Sequence, residues 1–114
     1  MKEIVIIEPN SVLNLLLTKL FKDFVIKSYV SPNLAKKYDF QNTDIVITEI
    51  FFNEGITGWE IINYLNANYP NIKIIVLTSA YNDDIINRIF SYKIKDYIKK
   101  PFSITELRHR VFSD

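Results

Sequence analysis

Two carboxylates stand where runs of apolar residues end. "EIVIIEPN" carries its run into Glu8 and then Pro9, and "DIVITEIFFN" carries its run into Glu49. A third run, "IKIIVLT", closes on Thr78, and the last, "DYIKK", holds Tyr97 and brings Lys100 to the edge of Pro101. If the two acids are neighbours, like unit charges about 4 Å apart at an effective dielectric near 20 repel by roughly 4 kcal/mol. A cation beside them would offset that repulsion. Taken singly, each residue has a plainer reading. A strand-end carboxylate is commonly solvated or caps a helix, Thr78 is a hydroxyl bonded to backbone, Tyr97 packs on a helix and Lys100 is solvated surface. The chemistry depends on whether the fold gathers them.

The elements that position them follow from hydrophobic period. Ile4 to Ile7, Ile45 to Thr48 and Ile72 to Leu77 are continuous apolar runs, as expected of strands covered by helices on both faces. "FVIKSY", residues 24 to 29, places Lys27 within its run, and "DYIK" is short and polar at both ends, so these two read as sheet edges.

Between the strands lie helical patterns. Leu13, Leu16, Leu17, Leu20 and Phe21 share one helix face after a cap at Asn10 or Ser11. Ser31 and Pro32 open a short second helix ending near Tyr38. Trp59, Ile62, Leu65 and Tyr69 form a third face that Pro70 ends, and Ile85, Ile86, Ile89 and Phe90 form a fourth after "NDD". "SITE", with capping-box spacing, opens a fifth through Leu107 and Val111.

Strand and helix alternate five times, which implies an α/β domain with one doubly wound, five-stranded parallel sheet and right-handed crossovers. With the second and fifth strands at the edges, the compact order is 2-1-3-4-5. That order places strands one and three side by side at the switch point, where such sheets bind ligands, and brings Glu8 near Glu49.

The 114 residues are 48% hydrophobic and 24% charged, which fits a single domain spanning 1–114. A net charge of +1 supplies no broad field for nucleic acid or anionic lipid. The lysines and tyrosines of "YKIKDYIKK" are read as protection of an edge strand. No cysteine is present, no run approaches a membrane span, and the N-terminus does not read as a signal peptide, so a cytoplasmic location is expected. His109, between Arg108 and Arg110, reads as surface, and Trp59 as packing.

The motifs "IVIIEPN", "DIVITEI", "GITGWE", "IIVLTSA" and above all "DYIKKPF" resemble those of response-regulator receiver domains of two-component signalling, over nearly the whole chain. The resemblance implies a flavodoxin-like receiver fold. It also implies a site in which a pair of acids after strand one, an aspartate ending strand three and a backbone carbonyl hold Mg²⁺, and that aspartate accepts a phosphoryl group from a histidine kinase. Thr78, Tyr97 and Lys100 match the family's switch residues, whereas Glu8 replaces the first acid, Pro9 the second and Glu49 the phosphoacceptor.

Mg²⁺ takes oxygen ligands at about 2.0–2.1 Å in octahedral geometry. Pro9 offers no side-chain oxygen, and the extra methylene of Glu49 moves its carboxylate on by about 1.5 Å, a displacement that matters to in-line transfer. The expectation is an atypical receiver that is not an enzyme, holds no metal and no cofactor, and acts independently of phosphorylation. Glu49 would imitate the phosphorylated state by reaching Lys100 or Thr78. The partner is expected to be a protein or output domain, or a second copy of the chain, on helix four, strand five and helix five, with no direct nucleic-acid or membrane contact. A cis bond before Pro101 is expected by the same resemblance. Two alternatives stay open: a Mg²⁺-dependent receiver with a non-standard acceptor, and a flavodoxin-like cofactor binder. The glycine-free, acidic "EPNSV" loop argues against the second.

Overall fold

The computed structural model describes residues 2–52, 57–80 and 82–113. Five parallel strands form one sheet: β1 (Glu3–Ile7), β2 (Val25–Tyr29), β3 (Ile45–Thr48), β4 (Lys73–Thr78) and β5 (Asp96–Lys99), in the order β2-β1-β3-β4-β5. The helices are α1 (Ser11–Leu20), α2 (Pro32–Ala35), α3 (Gly58–Asn68), α4 (Asp83–Phe90) and α5 (Ile104–Phe112). This is the doubly wound parallel sheet that the alternation of apolar runs implies, in the strand order expected of the flavodoxin-like receiver fold that the motifs resemble.

Alternation along each strand divides the core in two. Val5, Ile7, Val46, Ile74 and Val76 face one side, where they meet Trp59, Ile62 and Leu65 of α3 and Ile89 of α4. Ile4, Ile6, Ile45, Ile47, Ile75 and Leu77 face the other, against Leu17 of α1 and Leu107 and Val111 of α5. Both faces of β1, β3 and β4 are therefore covered, which is why their sequences read as unbroken apolar runs. β2 and β5 stay partly open to solvent, and Lys27 and Lys99 are exposed there.

Local chemistry sets the boundaries. Asn10 caps α1 by accepting from the Leu13 N–H at 3.0 Å, and Asn82 caps α4 by accepting from Ile85 at 3.0 Å. Ser103 accepts from the Glu106 N–H at 2.9 Å, but the Glu106 carboxylate pairs with Arg110 at 3.2 Å, so only half of the expected capping box forms. α2 ends at Ala35 rather than near Tyr38, because the following bonds, Lys37 N–H to Leu34 and Tyr38 N–H to Ala35, tighten the chain into turns. β4 begins at Lys73, one residue later than expected, and runs through Thr78. A 3₁₀ turn, Phe40–Asn42, capped by Asp39, was not expected from the sequence. No helix among the described residues is long and apolar enough to cross a membrane.

Candidate functional site

Strand register assembles the site. Ile7 pairs with Thr48, so the next residues, Glu8 and Glu49, leave adjacent strands side by side, with the Glu49 N–H donating to the Ile7 carbonyl at 3.0 Å. Thr78 pairs with Lys99, so Lys100 follows directly, its N–H donating to the Thr78 carbonyl at 2.9 Å. The Lys100–Pro101 bond is cis, as expected. The Lys100 ammonium donates to Glu8 Oε1 at 2.6 Å and to Glu49 Oε1 at 3.0 Å. The side chains of Glu8, Glu49 and Lys100 are 3%, 7% and 18% exposed, so this bridge is largely out of water.

The remaining carboxylate oxygens are also committed. Glu8 Oε2 accepts from the Asn10 N–H at 2.9 Å, which folds the carboxylate back over Pro9. Glu49 Oε2 accepts from the Ile50 N–H at 2.6 Å and the Phe51 N–H at 3.4 Å. This meets the expectation for Glu49 at Lys100 and departs from it at Thr78. The extra methylene lets the carboxylate curl onto its own following amides, so it reaches Lys100 but not Thr78. The buried Thr78 hydroxyl accepts instead from the Ala80 N–H at 3.2 Å. The Tyr97 hydroxyl donates to the Ala80 carbonyl at 3.1 Å, so Thr78 and Tyr97 meet at Ala80.

The sequence reading missed the residues that hold this frame. Asn14 is buried on α1 and donates from one amide nitrogen to the carbonyls of Glu8 at 3.1 Å and Tyr29 at 3.0 Å, tying β1 and β2 to the helix. Its signal was present, as a lone polar residue among leucines on an inward-facing turn. Gly58 belongs to the motif "GITGWE", of which Gly55 and Ile56 lie outside the described residues. Its N–H donates to the Ile50 carbonyl at 2.6 Å, and a Cβ there would fall 2.3 Å from the Glu49 carbonyl oxygen. Trp59 is packed as expected, stacked on Tyr92 with centroids 5.6 Å apart and with the Arg88 guanidinium 4.7 Å from its ring centre. His109 is exposed.

A second polar cluster lies at the start of β1. Buried Glu3 accepts from the Tyr38 and Thr43 hydroxyls, both at 2.7 Å. Burial, then the hydrogen bond and charge of Glu3, push the Tyr38 phenol up to about 12. Burial and the same carboxylate raise Tyr29.

The donor set at Glu8 and Glu49 does not fit Mg²⁺. Pro9 contributes no side-chain oxygen, all four carboxylate oxygens already accept hydrogen bonds, and an ammonium lies between the carboxylates.

Residues 4–112 match the family described as the response regulator receiver domain. The chain is 30% identical over 89 residues to the heme response regulator HssR of Staphylococcus aureus, covering 75% of this chain and 39% of that protein. It is 24% identical over 112 residues to hybrid signal transduction histidine kinase D of Dictyostelium discoideum, covering 95% of this chain and 7% of that protein. A solved structure of response regulator TrrA from Thermotoga maritima, in complex with Mg²⁺–BeF, superposes with a TM-score of 0.84 at 26% identity, covering 97% of this chain and 96% of that one. The chain thus spans well under half the length of the curated relatives it matches.

Proposed function

The chain belongs to the response regulator receiver domain family of two-component signalling, and from that premise we propose that it is an atypical receiver whose output face is set without phosphorylation. The observation that carries this reading is the Lys100 bridge, in which one ammonium pairs with both Glu8 and Glu49. Glu49 fills the phosphoacceptor position but spends its second oxygen on the Ile50 and Phe51 amides. In-line transfer needs an acceptor oxygen held free towards the donor. Neither Glu49 oxygen is free, and Pro9 removes a metal ligand.

Under this reading Glu8 and Pro9 form the altered acidic pocket, and Thr78, Tyr97 and Lys100 keep the switch positions. Residues 1–114 act as one regulatory, non-catalytic unit in the cytoplasm, without metal or cofactor. The partner, whether a protein, an attached output domain or a second copy, docks on α4, β5 and α5. That side carries a groove of about 340 Å³ lined by Ile86, Ile89, Tyr92, Ile94 and Tyr97 and walled by Phe90, which is 80% exposed. A cofactor role gains no support from the loop after β1, where the Asn10 amide that would cradle a phosphate is taken by Glu8.

A second reading, a phosphorylatable Mg²⁺-dependent receiver, draws on the likeness to TrrA, whose structure holds Mg²⁺–BeF. The two separate in one titration of the chain with Mg²⁺ and beryllofluoride, followed by amide resonances. Saturable shifts at Glu49, Thr78 and Lys100 would establish the second reading and end the first.

A further inference from the structure

We infer that Trp59 is a positioning residue that carries the state of the Glu49 strand end to the α4–β5 side of the domain, by contacts separate from Thr78 and Tyr97. The inference rests on the reading that the cleft sets the α4–β5–α5 face, and it adds a second route between the two.

The route begins at one peptide unit. The Ile50 N–H is held by the Glu49 carboxylate at 2.6 Å, and the Ile50 carbonyl by the Gly58 N–H at 2.6 Å. Gly58 also has no clearance to slide, since a Cβ there would lie 2.8 Å from Ile50 Cα as well as 2.3 Å from the Glu49 oxygen. The Glu49 carboxylate, Ile50 and the first residue of α3 therefore move together or not at all.

The next residue is Trp59, which is 5% exposed. Its ring meets two side chains from α4 and the segment after it. Tyr92 stacks at an interplanar angle of 14°, and the Arg88 guanidinium lies 4.7 Å from the ring centre. Tyr92 in turn lines the groove that Ile94 and Tyr97 share. The links are short hydrogen bonds, the peptide bond from Gly58 to Trp59, packed rings and the shared groove wall, and close-packed interiors pass on small displacements rather than absorb them. Thr78, Ala80 and Tyr97 form the other link, along β4 and β5, and the two converge at the groove that Tyr97 also lines.

Coupling has to be measured as an interaction, not inferred from adjacency. Glu49→Gln is the perturbation. One amide oxygen cannot accept from Lys100 and from the backbone amides in the present arrangement, so the Ile50 unit must readjust. The readout is the backbone amide shift of Ile94 caused by Glu49→Gln in the full chain, in wild-type, Trp59→Leu, Trp59→Phe and Tyr92→Leu backgrounds. The expected result is a shift in wild type that falls below half in Trp59→Leu and in Tyr92→Leu and recovers in Trp59→Phe. The shifts at Thr78 and Lys100 should persist throughout. If Trp59→Leu fails to fold, the half-buried Tyr92 carries the test from the other side of the stack. Equal Ile94 shifts in all backgrounds would overturn the Trp59 route and leave the cleft reading standing. No Ile94 shift in any background would overturn both.

Discussion

Lys100 Nζ lies 2.6 Å from Glu8 Oε1, and the same ammonium reaches Glu49 at 3.0 Å, so one positive charge holds together two carboxylates that would otherwise repel. Removing one member of a buried ion pair leaves uncompensated charge and costs about 3–5 kcal/mol. Lys100→Ala is therefore expected to destabilise the domain by an amount in that range, read from the midpoint of urea unfolding. Glu49→Gln, which leaves the Lys100–Glu8 pair intact, should cost less, about 1–3 kcal/mol. An unchanged midpoint for Lys100→Ala would mean that the bridge contributes nothing.

Under the proposed reading, the geometry also predicts how phosphoacceptor chemistry would return. Glu49→Asp alone shortens the acceptor but leaves Pro9 without an oxygen, so acetyl phosphate should give no phosphorylated species. Pro9→Asp with Glu49→Asp supplies two more conventional ligands, and intact mass measurement should then detect the addition of one phosphoryl group in the presence of Mg²⁺. Modification of the single variant would show that Pro9 is not what blocks the reaction.

Gly58 provides a test whose sign is informative. In an exposed helix Gly→Ala stabilises by roughly 1 kcal/mol. Here the new Cβ would fall 2.3 Å from the Glu49 carbonyl oxygen, a backbone atom that cannot rotate away. Gly58→Ala should instead destabilise by about 1–3 kcal/mol, with the largest amide shifts at Glu49 and Ile50.

The three interior strands, the sheet order and the meeting of Glu8 with Glu49 were legible in the sequence for a physical reason, while the place of Lys100 beside them came from family resemblance. Burial on both faces writes itself as unbroken apolar runs, and the order then fixes which strand ends adjoin. The cis bond before Pro101 came from family resemblance alone. The direction of the Glu49 carboxylate was not legible, because a glutamate has enough rotamers to point towards Thr78 or back onto the Ile50 amide, and only the three-dimensional frame selects between them. The length of α2 was misjudged because Tyr38, apolar in pattern, is held by its hydroxyl to Glu3, a partner 35 residues away. Gly58 shows the same limit, since its close approach to Glu49 depends on how α3 docks.

The Glu3 cluster predicts an alkaline transition. Tyr38 has an ordinary phenol pKa of 10.0 when unfolded and about 12 in the folded chain. The folded form thus keeps its proton while the unfolded form releases one, and the stabilisation, complete below pH 10, is lost as pH rises through about 12. Glu3→Gln removes the charge behind part of this shift. It should bring the Tyr38 titration, followed by phenolate absorbance against a Tyr38→Phe reference, back towards 10 and move alkaline unfolding accordingly. A Tyr38 titration unaffected by Glu3→Gln would remove Glu3 as a cause and leave burial as the main one.

Tyr97 decides whether the output face follows phosphodonors or the cleft. Its hydroxyl donates to the Ala80 carbonyl at 3.1 Å, and the Ala80 N–H donates to Thr78, so the ring is fastened to the segment leaving β4. β5 is fastened at its end by the Lys100 N–H to the Thr78 carbonyl and by the Lys100 ammonium to Glu8 and Glu49. Releasing the ammonium removes the side-chain fastening of that strand end and leaves only the backbone bond to Thr78, so the base of the Tyr97 ring loosens. With tyrosine rings labelled for NMR, Lys100→Ala should shift and broaden the Tyr97 signal, whereas acetyl phosphate with Mg²⁺ should leave the wild-type signal where it is. Tyr38, at the far end of the sheet, serves as the internal reference and should respond to neither. A Tyr97 signal that moves with acetyl phosphate and ignores Lys100→Ala would reverse the assignment, making this receiver responsive to phosphodonors and its lysine bridge incidental.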